Sequence, residues 1–320
     1  MVTEDAKITR VLIAYDGSGY SHAILNDLRS SGLPHTTKAL IISVAEVGLP
    51  VNSRNAELYL NSGVTEYLQK HRGQAGQNLS ESSGLARLAA DELLKYFPEW
   101  SIEVEAVSGS PALEILLRAG MFQPDLIVIG ERGLSSIQDF GLGSTSQTVL
   151  SQAKCPVRIS RRTPPGVRSR HNIVIGFDGS IGSMMAIKAV AERPWSTRPQ
   201  IRLITVTDPL ALLKPGRALR PVAGMSEGKI EGEQKWVNYL AVDALRVIRG
   251  AGLSVSLHVY SGNPRMVLIS EATKWNADAV FLGATAREPT LFSLGCVALA
   301  IANRAGCSVE VVRENISPGS

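Results

Sequence analysis

The sequence predicts an α/β protein of two tandem domains, each built on a five-stranded parallel sheet. Its 320 residues exceed what one compact domain usually needs and suit two domains of roughly 150 residues. Hydrophobic residues make up 44% of the chain and charged residues 19%, which is enough apolar material for two packed cores. Short apolar runs alternate with amphipathic stretches of helical length. This alternation is typical of parallel strands joined by right-handed crossover helices.

The chain also repeats itself with a long, nearly constant period. Three segments return in the second half: residues 11–18 as 173–180, residues 125–130 as 278–283, and residues 155–157 as 307–309. The separations of 162, 153 and 152 residues are far longer than those of solenoid repeats, so they indicate a duplicated domain. We therefore predict domain 1 over residues 1–163, a linker over 164–171 that is rich in Pro and Arg, and domain 2 over 172–320.

Each copy gives its own set of elements. In the first copy, strands are predicted at 9–15, 38–45, 101–107, 125–130 and 156–160, and helices at 19–31, 82–96, 111–121 and 144–153. In the second copy, strands are predicted at 172–177, 201–207, 253–260, 278–283 and 308–312, and helices at 181–192, 232–250, 264–275 and 295–304. The segments 48–83 and 209–231 give no clear pattern. Within the first of them, residues 56–67 favour a helix, whereas the glycine-containing run 73–80 disfavours one.

Composition excludes several classes of protein. No apolar run reaches the length of about 20 residues that spans a bilayer, and the polar start of the chain is not a signal peptide. Cys155, Cys296 and Cys307 have no CxxC spacing and the five histidines are scattered, so neither a disulfide framework nor a metal site is expected. The net charge of +4 is too small and too dispersed to indicate nucleic-acid binding. We expect a cytoplasmic protein with no membrane, nucleic-acid or metal partner.

The pattern that carries chemistry follows the strand at 125–130. Gly130-Glu131-Arg132-Gly133 is followed by Gly143-Ser144-Thr145, which gives the spacing G-x2-G-x9-G-S. An anion can approach such a loop because glycines leave the backbone N–H groups uncovered. The helix that Gly143-Ser144 opens adds free N–H groups and a favourable dipole. The pattern predicts phosphate binding, and its alternative is an ordinary glycine-rich turn with a Ser N-cap.

These residues resemble the ATP-binding subclass of the universal stress protein family, and the resemblance covers nearly the whole chain, twice. It includes the opening strand that ends in Asp16-Gly17-Ser18, the Gly-x-Pro before the third helix, the glycine pattern, and the closing strand after Cys155. The resemblance implies an adenine-nucleotide-alpha-hydrolase-like, Rossmann-like sheet of order 3-2-1-4-5 in each domain. It also implies a nucleotide across the carboxyl ends of the strands.

The resemblance assigns roles to individual residues of domain 1. Phosphates are assigned to Gly130, Gly133, Gly143, Ser144 and Thr145, the ribose and adenine to Asp16, and the adenine also to the backbone of Val44. Arg132 is predicted either to donate to the phosphates or to be solvated. Asp16 has an alternative role as a turn-forming residue, and Val44 as a buried strand residue.

Domain 2 departs from the glycine pattern. Ala286 replaces the second glycine, Cys296 replaces Ser144, and the interval to Gly295 is one residue shorter, although Asp178 is retained. If Gly133 adopts a positive φ, Ala286 is disfavoured in that conformation. The sequence predicts a folded second domain with a degenerate nucleotide site.

The leading functional hypothesis is a stress-response or regulatory protein that binds ATP in domain 1, with at most slow hydrolysis; whether Mg²⁺ accompanies the nucleotide is left open. No catalytic base or nucleophile is evident. One alternative is an ATP-using alpha-hydrolase or adenylyltransferase, although the loop motifs that such enzymes require are missing here. The other is a ligand-free interaction module. The edge strands 156–160 and 308–312 are predicted to pair antiparallel within one chain as a pseudo-dimer. A further homodimer is left open.

Overall fold

The fold is known from a computed structural model, which describes residues 9–46, 64–133, 141–162, 171–207, 241–284 and 295–313. Domain 1 contains β1 (Thr9–Ala14), α1 (Gly19–Leu28), β2 (Thr37–Glu46), α2 (Val64–Tyr96), β3 (Ser101–Gly109), α3 (Pro111–Phe122), β4 (Leu126–Gly130), α4 (Ser144–Gln152) and β5 (Val157–Ser160). Domain 2 contains β6 (Asn172–Gly176), α5 (Ile181–Ala191), β7 (Gln200–Thr207), α6 (241–250), β8 (Ser254–Ser261), α7 (Pro264–Lys274), β9 (Ala279–Gly283), α8 (Cys296–Arg304) and β10 (Ser308–Val312).

These ten strands form one sheet, in the order β3-β2-β1-β4-β5-β10-β9-β6-β7-β8. Strands within each domain are parallel and follow the expected order 3-2-1-4-5. β5 and β10 pair antiparallel, with Arg158 opposite Glu310. The expected pairing of edge strands within one chain is therefore confirmed, and the two five-stranded sheets join into one.

The two faces of this sheet are covered differently. On one face, a single apolar cluster beneath α3, α4, α7 and α8 crosses the domain boundary, with Ile159 on one side and Val309 on the other. On the opposite face, α1 and α2 cover one cluster in domain 1, and α5 and α6 cover another in domain 2. Because the inner strands are buried on both faces, they read as continuous apolar runs such as Val11–Ile13.

Four charged side chains lie at the domain boundary on this second face. Arg158 donates from Nε and Nη2 to the two carboxylate oxygens of Asp27, each at 2.7 Å, and from Nη1 to Glu310 at 3.1 Å. Glu310 also pairs with Arg193, which donates to the carbonyl of Ser31 at 2.8 Å. The side chains of Arg158, Asp27 and Glu310 are at most 2% exposed. The polar positions of β5 therefore face a buried, charge-balanced cluster and not solvent.

The predicted start of the helix at 82–96 is wrong. α2 begins at Val64 and runs without interruption to Tyr96, through the run 73–80 that was expected to disfavour a helix. Each glycine in that run costs about 1 kcal/mol relative to alanine. The surrounding Gln, Ala, Glu and Lys residues favour helix, and the C-terminal half of α2 is anchored by the buried residues Ala86, Ala89 and Leu93. Tertiary burial therefore outweighs the local glycine penalty.

A smaller difference occurs at the end of α1, which was expected to reach residue 31 but ends at Leu28. The hydroxyls of Ser30 and Ser31 donate to the carbonyls of Asp27 and Leu28, at 3.1 and 2.7 Å. The N–H groups of Ser30 and Ser31 also donate to these two carbonyls, at 3.1 and 3.2 Å, so the α-helix gives way to a tighter turn. Gly32 follows with a φ of 69°, which glycine adopts at little cost. The segment 209–231 and the first part of the helix predicted at 232–250 lie outside the described residues.

Candidate nucleotide site

Asp16 begins the turn that joins β1 to α1. Its Oδ1 accepts a hydrogen bond from the N–H of Ser18 at 3.0 Å, and Gly17 has a φ of 76°, which glycine adopts at little cost. Ser18 then caps α1, since its hydroxyl accepts from the N–H of Ser21 at 3.1 Å. The turn-forming role that Asp-Gly-Ser suggests is thus present, and it engages Oδ1.

The other carboxylate oxygen of Asp16 lies against Gly133. A Cβ built on Gly133 would stand 2.7 Å from Asp16 Oδ2, closer than real Cβ contacts. Gly133 does not belong to the positive-φ glycines of the described residues, so the condition under which its counterpart Ala286 would be disfavoured is not met. Gly133 is required for space. It brings a carboxylate and a bare stretch of loop backbone together at one edge of the sheet.

Gly130 ends β4 where α1 crosses it closely. A Cβ built on Gly130 would lie 3.1 Å from the carbonyl oxygen of Tyr20, which is tighter than most real contacts. The carbonyl of Gly130 accepts a hydrogen bond from the Ser146 hydroxyl at 2.7 Å. The missing side chain of Gly130 therefore allows α1 to pack close to the end of β4, and its carbonyl holds the first turn of α4 there.

Two further contacts shape what we call the glycine loop, residues 130–133 together with 141–144. Arg132 is 8% exposed and donates from Nε to the carbonyl of Gly141 at 3.0 Å. Gly141 has a φ of 91°, so this position favours glycine. The N–H of Gly143 donates to the carbonyl of Glu131 at 2.8 Å. Arg132 is thus a buried brace of the loop rather than a solvated side chain, and its role toward phosphate stays a prediction.

The start of α4 completes the arrangement. Gly143 is the N-cap residue, and no described side chain caps this helix end. Ser144 is exposed and Thr145 half-buried in the first turn. First-turn N–H groups carry the positive end of the helix dipole, so an anion can take the place of the capping side chain. A Cβ built on Gly143 would make an ordinary contact with Arg132 Cα at 3.4 Å.

Val44 lies near the carboxyl end of β2, opposite Val107 of β3, and is half-buried. β1 separates β2 from β4, so Val44 stands at the same edge of the sheet as the glycine loop but two strands away, roughly 10 Å. The structure thus brings Asp16, Gly130, Arg132, Gly133, Gly143, Ser144 and Thr145 together at the carboxyl edge of the sheet, where β1 and β4 end. The contact of Val44 with adenine stays a prediction.

Both copies of the repeat match the model of the universal stress protein family, over residues 7–161 and 169–313. The chain belongs to the universal stress protein family. It is similar to a universal stress protein of Thermus aquaticus encoded in the 3′ region of the QAH/OAS sulfhydrylase gene, with 28% identity over 47% of this chain and 97% of the relative. It is also similar to universal stress protein YxiE of Bacillus subtilis, with 30% identity over 48% of this chain and 98% of the relative.

The fold is shared with a solved universal stress protein from Archaeoglobus fulgidus DSM 4304. The two structures superpose with a TM-score of 0.58 and 19% sequence identity, over 95% of this chain and 98% of that chain. This likeness extends across both domains and agrees with the tandem arrangement. The chain therefore has a stress-protein domain in each half of its joined sheet.

The second stress-protein domain retains the turn but packs its first helix closer to the neighbouring strand. Ser180 N donates to Asp178 Oδ1 at 3.0 Å and Gly179 has a φ of 75°, as in domain 1. However, a Cβ built on Gly283 would lie 2.1 Å from the carbonyl carbon of Gly182, so α5 packs closer to β9 than α1 does to β4. Ile181, which replaces Gly19, is 82% exposed. Ala286 lies outside the described residues.

Sequence reasoning missed two residues that support the glycine loop from outside its motif. Arg161 was given no role at the end of domain 1, yet it is 5% exposed and donates from Nε to Glu131 Oε2 at 2.8 Å. Asn303, in α8 of domain 2, accepts from the N–H of Leu142 at 3.2 Å. One signal was available: Arg161 and Arg313 are 152 residues apart, the same separation as Cys155 and Cys307.

The cysteines differ in expected reactivity. Burial raises the pKa of the Cys155 thiol to about 12 and that of Cys307 to about 11, whereas Cys296 is exposed. Because the thiolate is the reactive species, we expect one fast-reacting thiol per native chain at pH 8, with Cys155 and Cys307 slower by about two orders of magnitude or more. Titration with a chromogenic disulfide tests this, and denatured protein should show three fast thiols. Three fast thiols in the native state would contradict the assignment.

Two features are absent from the described residues. No helix among them is long and apolar enough to cross a membrane. They also contain no cluster of three or more His, Cys, Asp or Glu side chains arranged to hold a metal ion.

Proposed function

We propose that domain 1 binds ATP at the carboxyl edge of its sheet, and that the protein acts as a nucleotide-binding regulator in the stress response. The observation that supports this most is the close approach of the Asp16 carboxylate to Gly133, 2.7 Å from a Cβ built there. A carboxylate that can accept a hydrogen bond from a ligand hydroxyl therefore lies directly beside the glycine loop. The start of α4, which no described side chain caps, lies on the far side of that loop.

The chemistry of these groups fits the two ends of a nucleotide. The N–H groups in the first turn of α4 can donate to phosphate oxygens, and the hydroxyls of Ser144 and Thr145 add two more donors. In the glycine loop, the N–H groups of Leu142 and Gly143 already donate to Asn303 and to the carbonyl of Glu131. Asp16 would repel phosphate but accept a hydrogen bond from a ribose hydroxyl. The ribose is therefore placed against Asp16 and the phosphates against α4. Any Mg²⁺ would arrive with the nucleotide and be bound mainly by phosphate oxygens and water.

The second domain is proposed to lack this activity. Cys296 in place of Ser144 removes a hydroxyl donor to a charged group, worth about 1.5–3 kcal/mol, or about 13- to 160-fold in affinity. The close packing of Gly182 on Gly283 leaves less room at the strand end than in domain 1. One high-affinity nucleotide site per chain follows.

The proposed compartment is the cytoplasm. Cys155, Cys296 and Cys307 form no disulfide with one another, as expected in a reducing compartment.

Equilibrium dialysis with labelled ATP tests the proposal against its alternatives. Saturable binding that unlabelled ATP displaces supports the nucleotide-binding function, and the absence of binding supports a ligand-free interaction module. Stoichiometric release of pyrophosphate on incubation with ATP would instead assign the protein to the alpha-hydrolase or adenylyltransferase class. A matched sample carrying Gly133→Val is expected to bind no more label than a protein-free compartment.

A further inference from the structure

The glycine loop of domain 1 is held in part by domain 2. The N–H of Leu142, between Gly141 and Gly143, donates to Asn303 Oδ1 at 3.2 Å. Asn303 belongs to α8, and its own amide nitrogen donates to the carbonyl of Leu299 at 2.8 Å. The accepting oxygen is thus fixed by a helix of the other domain.

Arg161 makes a second link between the same two parts. Its Nε donates to Glu131 in the glycine loop, and its Nη1 and Nη2 donate to the carbonyls of Cys307 and Ala302 of domain 2. The N–H of Arg161 also donates to the Ser308 hydroxyl at 3.1 Å. One buried guanidinium therefore spans the loop and the C-terminal end of α8, where carbonyl groups favour a cation.

Glu131 joins these contacts to the rest of the loop. Its side chain accepts from Arg161, and its carbonyl accepts from the N–H of Gly143 at 2.8 Å, at the start of α4. A shift of α8 is consequently transmitted to both described segments of the loop, through Asn303 to Leu142 and through Arg161 to Glu131.

Among the described residues, which exclude 285–294, no corresponding support is seen in the opposite direction. Arg313 is the repeat counterpart of Arg161 and likewise donates to the end of the other domain's last helix, at the carbonyls of Leu150 and Ala153. The counterpart of Glu131 is Ala284, which has no carboxylate, and within the described chain the buried Nε of Arg313 has no hydrogen-bond partner. Ser151, the counterpart of Asn303, donates to the carbonyl of Gln147 in its own helix.

We infer that domain 2 sets the nucleotide affinity of domain 1 by positioning the glycine loop through Asn303 and through the Arg161–Glu131 pair. The inference rests on the proposed function. Coupling between two sites is reciprocal, so nucleotide bound in domain 1 must also stabilise the packing of α8 against domain 1. The degenerate domain is thereby a regulatory partner for the intact one, and any ligand or protein that moves α8 changes nucleotide affinity.

The test compares Mg-ATP affinity by calorimetry in the full chain and in Asn303→Ala, with Ser151→Ala as the matched control. Loss of one hydrogen bond should weaken binding about 2- to 13-fold in Asn303→Ala, while the control should stay within the error of the full chain. Amide hydrogen exchange on the unaltered chain should show ATP-dependent protection in the last turn of α8, and Asn303→Ala should reduce it.

Glu131→Ala distinguishes positioning from simple electrostatics, because it gives domain 1 the residue that domain 2 has at this place. Removing a carboxylate near bound phosphate should raise affinity by charge alone, whereas loss of the Arg161 link should lower it. We expect weaker binding. Equal affinity in Asn303→Ala and the control, or tighter binding in Glu131→Ala, would overturn the inference while leaving ATP binding intact. Failure of the unaltered chain to bind ATP would overturn the proposed function and the inference with it.

Discussion

Arg158→Ala is expected to lower the free energy of unfolding by about 3–5 kcal/mol, among the largest effects of any single substitution in this chain. Arg158 donates to both oxygens of Asp27 and to Glu310, and all three side chains are buried. Burial alone would lower the pKa of Arg158, but the two carboxylates outweigh it and raise that pKa. Removing the guanidinium leaves two carboxylates with only Arg193 and Ser160 as partners.

Denaturant unfolding followed by circular dichroism measures this effect. Arg246→Ala is the matched control, because the Arg246–Asp243 pair is of the same type but 73% exposed at both side chains. Exposed pairs contribute little, so the control should lose less than about 1 kcal/mol. A loss of similar size in the two variants would show that the buried cluster contributes no more to stability than an exposed ion pair.

The same buried cluster explains why β5 of domain 1 pairs with β10 of domain 2. Arg158 and Glu310 occupy equivalent positions of the repeat, 152 residues apart, and face each other across β5 and β10. Pairing of β5 with a second β5 would bury Arg158 against Arg158, and pairing of two β10 strands would bury Glu310 against Glu310. Because uncompensated buried charges are costly, the edge strands select each other. Whether whole chains also form homodimers stays a prediction.

Gly133→Val is expected to weaken ATP binding by at least about 150-fold without disrupting the fold. The valine side chain would fill the space between Asp16 and the glycine loop, so that the proposed ribose contact of Asp16 and the adjacent phosphate contacts of the loop are both lost. Loss of two hydrogen bonds to a charged group costs about 3–6 kcal/mol. The fold should survive, because the only described atoms within 4 Å of a Cβ at Gly133 belong to the Asp16 carboxyl group. That side-chain end can turn away.

The control is Gly120→Val in α3, where an added Cβ meets no atom within 4 Å. It should bind ATP like the unaltered chain. Gly143→Val provides a second variant of the loop, since its Cβ makes only ordinary contacts, and it should also abolish binding. Unchanged affinity in both loop variants would show that the glycine loop does not contact phosphate. Gly283→Val is unsuitable as a control, because its Cβ would collide with the backbone of Gly182.

Sequence reasoning reached the fold because the fold depends on local patterns that occur twice. Strands such as Val11–Ile13 are buried on both faces, so they read as unbroken apolar runs bounded by turn residues. The start of α3 was equally predictable from the sequence, since Pro111 occupies its first turn. The continuous α2 was not, because its glycines lower local helix propensity while the burial that compensates for them depends on distant strands.

The candidate site was only partly predictable for a similar reason. Asp16 and the glycines could be placed together because parallel strands end at one edge of the sheet. The structural reason for glycine at each position could not be predicted: Gly133 is required by the proximity of Asp16, and Gly130 by the crossing of α1. Arg161 and Asn303 contact the loop across sequence separations of 30 and 161 residues, and no local pattern marks such contacts.

The central claim is that each chain carries one ATP site, in domain 1. Calorimetric titration of the full chain with Mg-ATP tests it most directly. We predict a stoichiometry near one ATP per chain, and no measurable heat of binding in Gly133→Val. Two sites of equal affinity per chain, or a single site that survives Gly133→Val unchanged, would contradict the claim.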